Sequence, residues 1–305
     1  MADNNSAQTL NPKKKRSREK VLYSIPYTLI AAVVILFGGA IIFDAIIACF
    51  NINPVSDLAT VCYNYGSTIS AWIALLFVML VFKHNRFLLS KLGSGKEGNT
   101  VKLFLAGLLI GFIMNMLCAI SAMLHKDIYL YFAGASPFAL ILIFICVFIQ
   151  SSSEELLCRG YIYERLMLRH RPITAILANS LLFALLHIFN DGVTVLAIVN
   201  IALMGILCSF ICYYMDSLWC AMALHTAWNY TQNIILGLPN SGVVSILSIF
   251  KLDASTALDS FAYNVGFGVE GTVVSAIVQI AAIALIYYKY KDKKPSLFTK
   301  PQLDY

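Results

Sequence analysis

Eight stretches of this chain are apolar and long enough to cross a lipid bilayer: residues 24–48, 66–83, 102–123, 137–166, 173–189, 193–215, 217–236 and 271–289. A transmembrane helix needs about 20 mainly apolar residues, within a range of roughly 17–25. The fourth stretch exceeds that length, so its last turns are expected to project into the cytosol. The fifth is the shortest and ends in the polar pair Asn190-Asp191. Composition agrees, because hydrophobic residues make up 59% of the 305 and charged residues only 12%. A soluble chain carries about 25% charged residues, so lipid has to be the solvent for much of this one. The expected fold is all-α, a polytopic membrane protein with about eight transmembrane helices.

The net charge of +6 does not point to nucleic acid, because Lys and Arg sit at the ends of the apolar runs, as membrane topology requires. With a cytosolic N-terminus and eight spans, six of them precede the first helix, five lie in 83–102, four in 159–171 and five after 288. Twenty of the 22 are then cytosolic, and only Lys126 and Lys251 lie outside. Removing or adding one middle span would put a basic loop on the wrong side. Both termini are therefore expected in the cytosol. The run Lys13-Lys14-Lys15-Arg16 has the charge of a signal-peptide start. The apolar stretch after it is long and lacks a clear small-residue cleavage site, so it reads as an uncleaved first helix.

The organisation expected is a disordered basic tail over 1–23, N-terminal transmembrane helices over 24–123 and a core over 137–236. An outer loop over 237–270 and a last helix with a cytosolic tail over 271–305 follow. No internal repeat is visible. Cys118, Cys146, Cys208, Cys212 and Cys220 fall inside apolar runs, where they read as small fillers. No CxxC spacing occurs, which argues against a thiol-ligated metal site.

A charged side chain at mid-bilayer costs about 2.5–3.5 kcal/mol on insertion scales, so those present face a protein interior and have partners. Three such groups stand out: Glu154-Glu155 with Arg159, Phe183 with His187, and His225 with Asn229. Glu155 and Arg159 are four residues apart on one helical face, with the acid on the N-terminal side, and can pair. Glu154 points about 100° away and lacks that partner. Counting the 1.5 Å rise from the cytosolic helix ends puts Glu154 roughly 18 Å deep, His187 roughly 21 Å, His225 roughly 12 Å and Asn229 roughly 18 Å. Matched depth on three helices points to one shared pocket. There a carboxylate beside an imidazole can deprotonate water, and a second His with an Asn can donate to a developing oxyanion. Two histidines and a carboxylate also match a zinc site (Glu154, His187 and His225), although no HExxH is present. Ser151, Ser152 and Ser153 lack a nucleophile-type glycine motif and read as polar lining.

EExxxR, FxxxH and HxxxN on successive helices, with Gly160 after the arginine, resemble the CAAX-protease and bacteriocin-processing (CPBP, or Abi) family of intramembrane endopeptidases. The resemblance covers roughly 137–236. It implies that Glu154 activates water together with His187, that His225 and Asn229 stabilise the oxyanion, and that Glu155 and Arg159 position the site. It leaves open whether a divalent metal such as zinc takes part or no cofactor is used. The implied partner is a peptide or membrane-associated protein reaching a cavity nearer the cytosolic side of a bacterial cell membrane. Two other readings remain: a catalytically silent scaffold or immunity protein binding a membrane partner, and a small transporter using the two glutamates as proton carriers.

Overall fold

A computed structural model describes residues 20–51, 53–95 and 98–292. The basic tail expected over 1–23 and the tail after the last helix lie almost wholly outside those residues. Among the described residues the chain is a bundle of apolar helices with one two-stranded ribbon. Helix α1 is Ile25–Cys49. The second span, Asp57–Val81, is made of α2 (Asp57–Gly66) and α3 (Ile69–Val81). It starts nine residues before the expected 66 because Ser56 caps it, its side chain accepting from Ala59 N. Helix α4 is Val101–Leu124.

The fourth span, Pro137–Met167, is the longest. It consists of α5 (Pro137–Glu155), a π-helical stretch (Leu156–Tyr163) and the short α6 (Glu164–Met167). Helix α7 is Pro172–Leu185, α8 is Val195–Met215, and α9 is Leu218–Tyr230, continued by a π-helical turn over Thr231–Ile235. Helix α10 is Val273–Tyr290.

Among the described residues, six helices are long and apolar enough to cross a membrane, against the eight expected. The other two stretches differ for physical reasons. Helix α7 stops at Leu185, because Leu186 to Asn190 fold into turns. Helix α9 carries His225, Thr226 and Asn229 and passes into π geometry, so it is short and polar. It is nonetheless sheathed by protein, since all but two of its residues are buried.

Connections gather at two ends. At one end, β1 (Leu130–Phe132) pairs antiparallel with β2 (Phe250–Leu252), and Asn190 donates to the Ser241 carbonyl. At the other end Lys91 pairs with Glu164 at 3.3 Å, Trp219 Nε1 donates to the Leu92 carbonyl, and Arg165 reaches Asn85 and the Leu22 carbonyl. The His225 helix is seated by a pair of glycines. A Cβ on Gly107 would collide with the Cys220 carbonyl, and one on Gly111 with the Leu224 carbonyl. This small-xxx-small spacing lets α4 and α9 approach backbone to backbone. Gly111→Val is therefore expected to displace α9 and lower the melting temperature by several degrees, to be read by thermal denaturation in detergent. An unchanged melting temperature would contradict that packing.

Candidate active site

The centre is built where the π-helical stretch begins, and such insertions in α-helices often occur at functional sites. Glu155, fully buried, accepts from Arg159 Nη1 at 2.8 Å and meets His225 Nδ1 at 2.9 Å through the same oxygen, Oε1. A carboxylate held by a guanidinium can only accept, so Nδ1 carries the proton and donates. Arg159 Nη2 donates to the Gly205 carbonyl at 2.8 Å, which ties the trio to α8. Arg159, Glu155 and His225 thus form a continuous chain of contacts that fixes the tautomer and orientation of the imidazole.

Glu154 lies on the other edge of that imidazole. Its Oε2 is 3.8 Å from His225 Nε2, too long for a direct hydrogen bond. Its Oε1 accepts from Gln150 Nε2 at 2.5 Å. The side chain is 27% exposed, whereas Glu155 is wholly enclosed. The two adjacent acids therefore differ as their helical positions require: one is locked to an arginine, and the other borders a cavity. The resemblance pairs Glu154 with His187; the His225 imidazole lies 3.8 Å from Glu154 Oε2, and His187 lines the same cavity.

His187 sits one turn beyond Phe183, in the turn that follows α7. Its Nδ1 lies 2.8 Å from the Phe183 carbonyl oxygen and donates to it, which leaves Nε2 as the ring nitrogen open to other groups. The Phe183 ring is 4.8 Å from the His187 ring and 5.9 Å from that of His225, and the Arg159 guanidinium lies 5.0 Å from its centroid. That is the role of the phenylalanine in FxxxH: an apolar partition between two imidazoles and a cation.

Asn229 donates to Gln150 Oε1 and Ser151 Oγ, both at 3.1 Å, so it reaches Glu154 through Gln150. Of the three serines only Ser153 lines the cavity, and Ser151 and Ser152 are buried against neighbouring groups. Ser152 accepts from Trp72 Nε1 at 3.1 Å, and Ser153 donates to the Gln150 carbonyl at 2.7 Å.

Glu270 carries no sequence signal, because it lies at the end of a loop whose return path no periodicity reveals. It is buried, and accepts from Trp228 Nε1 (3.0 Å), Asn240 Nδ2 (2.9 Å), Ser241 N (2.8 Å) and Ser241 Oγ (3.0 Å). Burial raises its carboxyl above the ordinary carboxylate value, while Trp228, Ser241 and His187 pull it back. Asn240 Nδ2 also donates to Asn229 Oδ1 at 3.2 Å, so Glu270 fastens the 237–270 loop to the site.

Glu154, His187, His225 and Asn229 all line one cavity of about 770 Å³. Among the described residues no three His, Cys, Asp or Glu groups come close enough together to hold a metal ion. Glu154, His187 and His225 are therefore not drawn together as a metal site in this arrangement.

Fold and site together define a multi-pass helical membrane protein with a buried Glu–Arg–His centre opening on an internal cavity. Residues 136–231 match the family model described as type II CAAX prenyl endopeptidase Rce1-like, and that stretch of the chain is similar to this family. The match spans every motif residue from Glu154 to Asn229 and stops before Asn240 and Glu270. No curated protein sequence matches the chain.

Proposed function

We propose that the protein is an intramembrane endopeptidase of CAAX-protease type that hydrolyses a peptide bond of a membrane-associated polypeptide with water activated by Glu154. The observation that carries this is the edge of Glu154: Oε2 is buried, makes no hydrogen bond and faces His225 Nε2 across 3.8 Å. One bridging water spans such a gap. Its oxygen attacks the scissile carbonyl carbon while Glu154 takes one proton, giving a tetrahedral oxyanion. Glu154 then passes that proton to the leaving amide nitrogen as the C–N bond breaks.

Arg159 and Glu155 hold the His225 ring at the water. His187, on the same cavity wall, is the remaining imidazole available to the substrate carbonyl. This reading exchanges the two histidines relative to the family pattern. It is tested by comparing peptide cleavage by His225→Ala and His187→Ala in nanodiscs, with melting temperature as the control for folding. His225→Ala is expected to lower kcat by about 10²–10⁴-fold, the usual range for a proton-transfer partner. His187→Ala is expected to lose less. A mild loss with His225→Ala and a severe one with His187→Ala would return the water to the Glu154–His187 pair.

A further inference from the structure

We infer that the cavity takes its substrate from the non-cytosolic face of the membrane, as an extended segment carrying positive rather than negative charge. The inference depends on the endopeptidase reading for what happens to the segment, but not for where it enters.

The cavity floor is Glu154, Leu157, Cys158 and His225, at mid-helix level. Its walls rise along α1 through Phe43 and Asp44 and along α2 through Asn64 and Thr60. The rim is Asn190 and the stretch 243–246. All of these wall and rim residues belong to the end where β1 meets β2 and Asn190 meets Ser241. None of the lining comes from the opposite connections, 82–100, 168–171 and 216–217.

Passage towards that opposite end is shut, because all eight residues of the π-helical stretch Leu156–Tyr163 are buried. A separate cavity of about 110 Å³ at that end stops against Arg159 and shares no lining residue with the larger one. The closed end is the one that carries the described basic connections, with Lys83, Arg86, Lys91, Arg165, Arg169 and Arg171 in or beside them. Basic connections stay in the cytosol, so the open end faces the other compartment. This entry is opposite to the cytosolic one expected from the sequence.

The charge of the walls narrows the substrate. Asp44 and Glu154 line the cavity, and among the described residues no Lys or Arg does. Asp44 is an ionisable residue within the apolar α1, where such a group ordinarily marks a site. A free carboxylate entering this cavity finds no lysine or arginine in its walls, whereas a lysine or arginine side chain finds a partner in Asp44.

Entry is tested on the full chain carrying Cys49→Ser and Cys62→Ser, which removes the cysteines nearest the cavity mouth. Asn64→Cys at the mouth and Lys83→Cys at the closed end are then labelled with a membrane-impermeant maleimide. Intact bacterial cells should label Asn64→Cys, and inverted vesicles should label Lys83→Cys. Labelling of Asn64→Cys from inverted vesicles alone, or only after detergent, overturns the proposal whether or not the protein cleaves anything.

Charge is tested by binding, with the Glu154→Gln protein and two fluorescent membrane-anchored peptides that differ only in Lys against Glu near the anchor. The Lys peptide should bind at least about tenfold tighter, and Asp44→Asn should remove most of that preference, since 1.4 kcal/mol of charge pairing is a factor of ten. Equal binding, including no binding of either, overturns the charge assignment. Cleavage that fails while labelling and binding succeed would count against the endopeptidase reading alone.

Discussion

Replacing Glu154 with Gln is expected to lower turnover of a membrane-anchored peptide by about 10²–10⁴-fold, the range attached to losing a general base. The protein should keep its abundance and melting temperature. Gln is nearly isosteric, and at Oε1 it still offers an acceptor for Gln150. Oε2, though buried, has no protein hydrogen bond to lose. What Gln cannot do is take a proton from water. KM should change little, because Glu154 meets the water, while the extended walls of the cavity hold the peptide. Steady-state cleavage in nanodiscs, with size-exclusion profiles of both proteins, makes the comparison. Equal turnover by the variant would remove Glu154 from the chemistry.

Arg159→Ala should act on the fold before it acts on the rate. Arg159 and Glu155 are both fully enclosed and joined at 2.8 Å. Removing one partner of such a buried pair leaves an uncompensated charge and costs about 3–5 kcal/mol, a large share of the stability of an ordinary domain. The variant should accumulate poorly and melt well below wild type. The double variant Arg159→Met with Glu155→Gln, which removes both charges together, should recover much of the stability while activity stays low. Normal abundance and melting temperature in Arg159→Ala, with only turnover reduced, would contradict the structural role and make the arginine a participant in the reaction. The guanidinium also lies over Phe183 and bonds the Gly205 carbonyl, so Arg159→Lys should rescue only in part.

Much of this architecture is legible in the sequence, because the bilayer imposes a length and a polarity that composition alone records. The spans 24–48, 102–123 and 137–166 fall within one residue of α1, α4 and the fourth helix at each end. The Glu155–Arg159 contact is also readable, since four residues along a helix place two side chains together. The π-helical stretch begins just after Glu155, so the pair forms across the change in geometry.

What could not be read depends on how helices face one another. Depth along a helix is countable, but rotation about its axis relative to a neighbour is not. Depth therefore gathers Glu154, His187, His225 and Asn229 into one pocket and the resemblance pairs Glu154 with His187, but neither says that His225 Nε2 comes within 3.8 Å of Glu154 Oε2. The contribution of the 237–270 loop was hidden for a related reason. Asn240 and Glu270 are 30 residues apart and meet at 2.9 Å because the loop folds back on the bundle. No local pattern encodes that return. The start of the second span was missed because the polar Thr60, Tyr63 and Asn64 dilute its apolar signal. All three line the cavity.

The most direct test of the central claim is mass spectrometry of products formed from a library of membrane-anchored peptides by the purified protein in nanodiscs. Wild type, Glu154→Gln and His225→Ala should be run side by side, each with and without a chelator. The expected result is a set of new peptide termini that appears with wild type, persists in chelator and is absent with both variants. New termini that vanish in chelator and return with zinc would contradict the metal-free water step. Termini that appear equally with Glu154→Gln, or no termini at all alongside retained cellular function of that variant, would contradict the peptidase itself and leave a scaffold.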